Sequence, residues 1–480
     1  MVNTPPHTDP SKGSLPNEGG LADEALQNRS VLDEDHTVQR DYVASLTSAI
    51  AGGDHGEVRA LTDQLYVSEI ADVLAVLDED ERPRLIEMIG EEFDFAALTE
   101  VDEQMRIAVL DALPLPLIAS GFSALESDDA VYILEDLPEE AQAEILRTIP
   151  TLDRLALQRS LDYPEESAGR RMQSNYIAVP PFWTVGRAID YMREATDLPE
   201  EFHDLFVVDP GYRLLGYVRL NRLLRSKRPV SIQSLMEDVQ EISAETDQED
   251  AAHTFQKYDL TSAAVVDRGG RLLGVLTVDD IVDVVQEEAE EDMRALAGVG
   301  DEEVSDSVPL IVRSRLPWLC VNLVTAILAS LVIGLFDATL EQMVALAILM
   351  PIVASMGGNA ATQTMTVAVR AIATHELDPY NIGRVVLRET YVGLVNGGAF
   401  AILMAVVAIV WFGSPGLGLV IAAAMTVNML AAALAGILIP IGLDHFKVDP
   451  AIASSVFVTT VTDVVGFFAF LGLAALWFGI

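Results

Sequence analysis

The stretch Pro351-Ile-Val-Ala-Ser-Met-Gly-Gly-Asn359-Ala-Ala-Thr-Gln363 decides how this chain is read, together with the lone aspartate in Val458-Thr-Thr-Val-Thr-Asp463-Val-Val-Gly-Phe. Both lie inside long apolar segments. Glycines and amides within hydrocarbon let helices approach closely and offer oxygens to a hydrated path. An ionisable side chain at membrane depth is costly, so it marks a functional site by default. Gly357, Gly358 and Asn359 are therefore expected to line an ion path, with Asp463 and the hydroxyls of Thr459 and Thr460 beside it.

Working outward, apolar segments occupy residues near 316–336, 343–369, 389–412, 416–443 and 452–478. Each is long enough to cross a hydrocarbon core of about 30 Å. Arg313 and Arg315 precede the first; Arg370, Arg384 and Arg388 flank the second loop, and Lys447 lies in the fourth. The other two loops carry no basic residue. The positive-inside rule then places the amino-terminal 315 residues in the cytoplasm and the carboxyl terminus outside, in a multi-pass protein of the cytoplasmic membrane surrounded by lipid.

No Lys or Arg falls in a span core, so a cation is the economical partner for Asp463. Asp, Thr, Asn and backbone carbonyls are hard oxygen ligands that suit Mg2+, Ca2+ or Mn2+. Seven histidines and the single Cys320 weaken a zinc or copper reading, and one cysteine permits no intrachain disulfide. Mg2+ dehydrates reluctantly, so a carboxylate ring can hold it through its water shell. One aspartate per chain implies a symmetric homodimer that supplies two around one axis.

The first 308 residues carry 65 acidic against 24 basic side chains, a net charge of −41. Such a surface attracts cations and repels anionic lipid and nucleic acid, which is not expected as a partner. Only four lysines occur, and acid excess with lysine scarcity resembles a salt-adapted, halophile-like proteome. Individual acids must therefore be argued from position. Residues 1–35 read as a disordered acidic tail without a signal peptide.

Residues 36–165 show leucine-rich helical periodicity broken at Leu113-Pro114, Leu137-Pro138, Ile149-Pro150 and Tyr163-Pro164, because the residue before proline leaves the helix. This predicts an all-α superhelical domain of short stacked helices. Residues 166–285 hold a repeat with an offset of 58, in which Phe206-Val-Val-Asp-Pro-Gly-Tyr-Arg-Leu-Leu-Gly-Tyr-Val218 matches Ala264-Val-Val-Asp-Arg-Gly-Gly-Arg-Leu-Leu-Gly-Val-Leu276. Each copy reads as strand, glycine turn, strand, helix. The pair resembles tandem α/β CBS domains, which implies an adenosine-nucleotide site such as one for ATP. Its Thr/Ser-x-x-Asp element is kept as Thr277 and Asp280 in the second copy, and is replaced by Arg219-Leu-Asn-Arg222 in the first. Residues 286–315 read as one connecting helix, and 316–480 as a five-helix transmembrane domain forming a dimeric pore.

The order of these parts, the junction Tyr163-Pro-Glu-Glu-Ser-Ala-Gly169, the Pro-x5-Gly-Gly-Asn motif and Asp449-Pro-Ala followed by Thr-Asp463 together resemble the MgtE family of magnesium channels. The resemblance covers nearly all of residues 36–480. It implies a multidomain membrane protein that mediates magnesium uptake, with Asp463 as pore ligand and 286–315 as a plug. It also implies cytosolic Mg2+ sensing by Asp247, Glu249, Asp259, Asp280, Asp283, Glu288, Glu291, Asp292 and Asp449, with Asp128 and Asp129 as partners in the helical domain. Ala361 departs from the family's Gly-Gly-Asn-x-Gly-x-Gln, and an added methyl there is expected to widen helix separation or narrow the path. The rival readings are a coupled divalent-cation exchanger using the same aspartate and a non-transporting sensor. An enzyme is the least favoured reading, since no Ser/His or His-rich cluster occurs in the spans.

Overall fold

The computed structural model describes residues 31–32, 37–195, 198–199, 202–300, 302, 307–377 and 380–479, with backbone alone at 452–454. The expected tail at 1–30 and 33–35 lies outside the described residues. The chain divides into two compact units, Met1–Asp247 with Ser262–Leu276, and Gln248–Thr261 with Thr277–Ile480.

The first unit opens with α1 (Arg40–Gly52), α2 (His55–Thr62), α3 (Val67–Val76), α4 (Glu81–Ile89) and α5 (Glu103–Ala112). Then come α6 (Leu115–Ala124), α7 (Ser127–Glu135), α8 (Glu139–Thr148) and α9 (Thr151–Leu161). Pro114, Pro138 and Pro150 stand at the N-caps of α6, α8 and α9. There a proline ends the preceding helix without removing a needed donor, because the first amides of a helix have no intrahelical partner. The apolar faces close on a core that includes Leu46, Leu74, Leu85, Ile86, Leu98, Ile133 and Leu134. Arg106 is buried among them. Its Nε donates to Leu98 O at 2.7 Å and Nη2 to Val101 O at 3.0 Å, while Nη1 pairs with Asp136. Burial pushes the Asp136 carboxyl above the usual range despite that pairing.

After α9 come β1 (Ala178–Val179), α10 (Val185–Glu194), β2 (Asp204–Val208), β3 (Leu214–Arg219), α11 (Leu220–Leu224), α12 (Ile232–Leu235) and β4 (Glu241–Ser243). The sheets are ordered β1-β2-β3 and β4-β5-β6, with β5 at Ser262–Val266 and β6 at Leu272–Thr277. In each sheet the first two strands run parallel. The repeat is visible atom by atom. Asp209 Oδ1 accepts from the amides of Gly211 and Arg213 at 2.7 and 2.9 Å, and Asp267 Oδ1 accepts from Gly269 and Arg271 at the same distances. The left-handed residue of the turn is Gly270 (φ 72°) in the second copy and Tyr212 (φ 62°) in the first, where a side chain makes that conformation strained. The two turns pair reciprocally, Leu214 N to Gly270 O and Leu272 N to Tyr212 O, both at 3.0 Å.

The second unit holds α13 (Gln248–Tyr258), α14 (Val278–Ala297), α15 (Val308–Gly334), α16 (Asp337–Gln342), α17 (Val344–Ala373), α18 (Ile382–Phe412), α19 (Pro415–His445) and α20 (Pro450–Phe478). The stretch 286–315 is not a single helix. α14 begins at Val278, ends on Gly298 in the left-handed cap conformation (φ 69°), and a new helix begins at Val308 behind the Ser307 N-cap. Helices α15, α17, α18, α19 and the Ser455–Phe478 part of α20 are long and apolar enough to cross a membrane. Among them α19 is the most buried and α15 the least, with 56% and 6% of their most apolar stretches inside the fold. Leu346, Leu349, Ile421, Met425, Phe470 and Leu471 form the core of the bundle.

Candidate ion pathway and acidic cavity

Asp463 sits about midway along α20 and is half-buried. Among the described residues it makes no ion pair. The neighbouring hydroxyls donate to the helix's own carbonyls: Thr459 to Ser455 O at 2.8 Å, Thr460 to Val456 O at 2.6 Å, and Thr462 to Thr459 O at 2.9 Å. A hydroxyl engaged as donor keeps its lone pairs for a cation or its water. Thr459 is exposed and Thr460 partly so, whereas Thr462 is wholly buried and turned into the bundle. On α17, Asn359 is exposed, Gly358 half-buried and Gly357 buried.

Ala361 does not stand on an open face. It is fully buried in a cluster with Met365, Val369, Ala432, Ala451, Val458 and, from α14, Ala295. Its carbonyl oxygen lies 2.8 Å from where a Cβ on Gly436 of α19 would be. The close approach expected of a glycine at 361 is provided by Gly436 on the facing helix.

Glu249 of α13, Asp292 of α14, and Asp444 and Asp449 at the facing ends of α19 and α20 line one cavity of about 450 Å³ together with His375. Burial, and then the charge of Asp449, pushes the Asp292 carboxyl above the usual carboxylate range. Asp449 also caps α20, with its Oδ1 accepting from Ala451 N at 2.7 Å. His375 Nε2 lies 3.1 Å from Asp250 Oδ1, and its ring centroid is 4.6 Å from that of His253.

Three of the expected regulatory carboxylates, Glu249, Asp292 and Asp449, therefore share this cavity, and others do not line it. Glu288 accepts from Gln248 Nε2 at 2.6 Å, and Glu291 is half-buried on α14. Asp283 is exposed. Asp259 is exposed in the left-handed conformation (φ 51°), with Leu260 N closing onto Phe255 O. Thr277 and Asp280 hold each other as a capping box at the start of α14, through one carboxylate oxygen of Asp280. In the first unit Asp247 is exposed and bridges Ser167, Asp128 is buried and Asp129 is half-buried. Among the described residues no three His, Cys, Asp or Glu side chains converge closely enough to hold a metal ion directly. Asp444, His375 and the buried Asn428 of α19 were not singled out by motif or spacing.

A family model for divalent cation transporters of the MgtE type matches residues 350–473, and the model of the MgtE intracellular N domain matches 65–166. CBS models match 168–228 and 232–287. The magnesium transporter MgtE of Bacillus subtilis is 30% identical over 437 residues, covering 90% of this chain and 97% of that protein. The chain belongs to the MgtE family. The Thermus thermophilus magnesium transporter MgtE is likewise 30% identical, over 92% of this chain and 99% of its own length. A crystal structure of the cytosolic domain of the Mg2+ channel MgtE in complex with ATP aligns at 25% identity with a TM-score of 0.47, covering 50% of this chain and 99% of that one. The family thus makes this chain a membrane transporter with an amino-terminal intracellular domain and a CBS pair.

Proposed function

We propose that the chain assembles as a homodimer into a Mg2+ channel for uptake across the cytoplasmic membrane, closed by cytosolic Mg2+. The observation that carries the reading is Asp463, a carboxylate at mid-span with no cationic partner among the described residues. Such a charge in low dielectric is stabilised by a mobile cation. Two copies across a dimer axis offer two carboxylates, and Thr459 and Thr460 offer oxygens beside them. A hydrated Mg2+ suits such a path because it retains its water shell while the carboxylates bind through water.

The acidic cavity supports the gate. Asp292 on the connecting helix and Asp449 on the pore helix repel when ionised, and burial disfavours the charge further. A hydrated divalent ion between Glu249, Asp292, Asp444 and Asp449 removes that repulsion and holds α14 against the ends of the spans. Ala295, packed against Ala361, Ala451 and Val458, carries that position into the bundle. Mg2+ then shifts the population toward the closed state by as much as it binds that state better.

The test is 28Mg2+ flux into proteoliposomes without any counter-ion gradient. Uptake driven by the Mg2+ gradient alone, lost in Asp463→Ala, supports the channel. Uptake that requires an opposing ion gradient supports a coupled exchanger, and wild-type flux in Asp463→Ala removes the aspartate from the pathway.

A further inference from the structure

Asn428 lies near the middle of α19 and is wholly buried. Its Nδ2 donates to Val353 O of α17 at 2.8 Å, while Oδ1 has no hydrogen-bond partner among the described residues. Its amide fills the space left by two glycines on two other helices. A Cβ on Gly357 of α17 would stand 2.2 Å from Nδ2 and 3.0 Å from Oδ1. One on Gly466 of α20 would stand 2.8 and 3.1 Å from the same atoms. Gly357 opens the Gly-Gly-Asn motif, and Gly466 follows Asp463 by one helical turn. A single buried amide thus touches both helices assigned to the ion path.

A buried acceptor without a partner destabilises, and an apolar side chain of the same size removes that penalty. Asn428 therefore does not serve stability best. A polar group of this kind fixes one arrangement among several that an apolar seam would permit.

We infer that Asn428 is a positioning residue for ion conduction, the polar spacer that sets the separation of α17 and α20 and thereby where the Asp463 carboxylate stands. The inference rests on Asp463 being the pore carboxylate. With an apolar residue at 428, the hydrogen bond from α19 to Val353 O of α17 is lost, and the amide no longer spaces Gly357 of α17 from Gly466 of α20. The carboxylate then stands off the distance that matches hydrated Mg2+, and discrimination against other divalent ions weakens.

The experiment compares Asn428→Leu, Gly466→Ala, Asn428→Ser and the double variant Asn428→Ser/Gly466→Ala in the full-length protein. It measures thermal unfolding in detergent, 28Mg2+ flux and the half-saturating concentrations of Mg2+ and Mn2+. Asp463→Asn runs alongside. Asn428→Leu is expected to unfold at or above the wild-type temperature, yet to shift the Mg2+ to Mn2+ preference by about threefold or more, the scale of one interhelical hydrogen bond in a membrane. Gly466→Ala is expected to lose flux through its 2.8 Å collision with the amide, and Asn428→Ser should restore it by making room. Wild-type preference in a stable Asn428→Leu, or additive losses in the double variant, overturns the positioning role. If Asp463→Asn keeps normal flux, the pore reading fails and this inference with it. If Asp463→Asn is inactive while Asn428→Leu behaves as wild type, only the inference fails.

Discussion

Gly436→Ala tests how tightly α17 and α19 are joined. The new Cβ would stand 2.8 Å from Ala361 O, 2.8 Å from Thr364 Cβ and 3.1 Å from Met365 N. Two of these obstacles are backbone, so no rotamer change relieves them, and the helices must part by several tenths of an ångström. Overpacking of this kind costs about 1–3 kcal/mol. Ala361→Gly acts oppositely, removing a buried methyl worth about 0.8 kcal/mol and adding about 1 kcal/mol of glycine cost within a helix. Both single variants should therefore unfold earlier in detergent, by about 2–4 °C per kcal/mol for a domain of this size. Because the obstacle is the carbonyl of residue 361 and not its methyl, the double variant should be less stable than either single one. Recovery of the wild-type melting temperature in the double variant would refute the argument and make the methyl the contact that matters.

Asp292→Asn removes both a Mg2+-binding carboxylate and its repulsion from Asp449, so protection of α14 from protease should depend on Mg2+ less steeply than in wild type, whereas Glu288→Gln, whose carboxylate accepts from Gln248, should change this little. Equal changes from both would mean that the cavity is not the sensor. Asp204 is buried and accepts from Ser262 Oγ at 2.6 Å, and burial raises its carboxyl above the usual range. The folded state thus holds that proton to higher pH than the unfolded chain does. The stability this gives is full below about pH 3.9, the ordinary aspartate value, and is lost as pH rises through the folded-state value. Asp204→Asn should accordingly raise the melting temperature at neutral pH and match wild type in acid; equal curves at both would refute it. Thr277→Ala breaks the capping box that opens α14 and should cost about 1 kcal/mol. If ATP binds there, isothermal titration should detect it with wild type and not with the variant, and undiminished binding would place any nucleotide elsewhere.

Much of the architecture was legible because it is local. Prolines at 114, 138 and 150 stop helices wherever they stand, and the offset of 58 survives as two Asp-capped turns with matching hydrogen bonds. The spans follow from length and apolarity alone. The division of 286–315 was signalled by Gly298 and Ser307, which a charge pattern running through the segment obscured. What escaped depends on which helix faces which. Ala361 looked like a lost glycine because the compensating Gly436 is 75 residues away, on α19. Asn428 is the one amide in an apolar run that also holds Thr426, and only the register of α17 and α20 shows that it fills the space left by Gly357 and Gly466. Asp444 and His375 belong to no motif, and only the cavity places them beside Asp292.

The measurement nearest the central claim is Mg2+ uptake by Asp463→Asn, an isosteric change that removes only the charge. With insertion and assembly matched to wild type, flux should fall to background while Asp463→Glu retains part of it. Near-normal uptake in Asp463→Asn would contradict the account, since the unpaired charge at mid-span would then play no part in drawing the ion into the membrane.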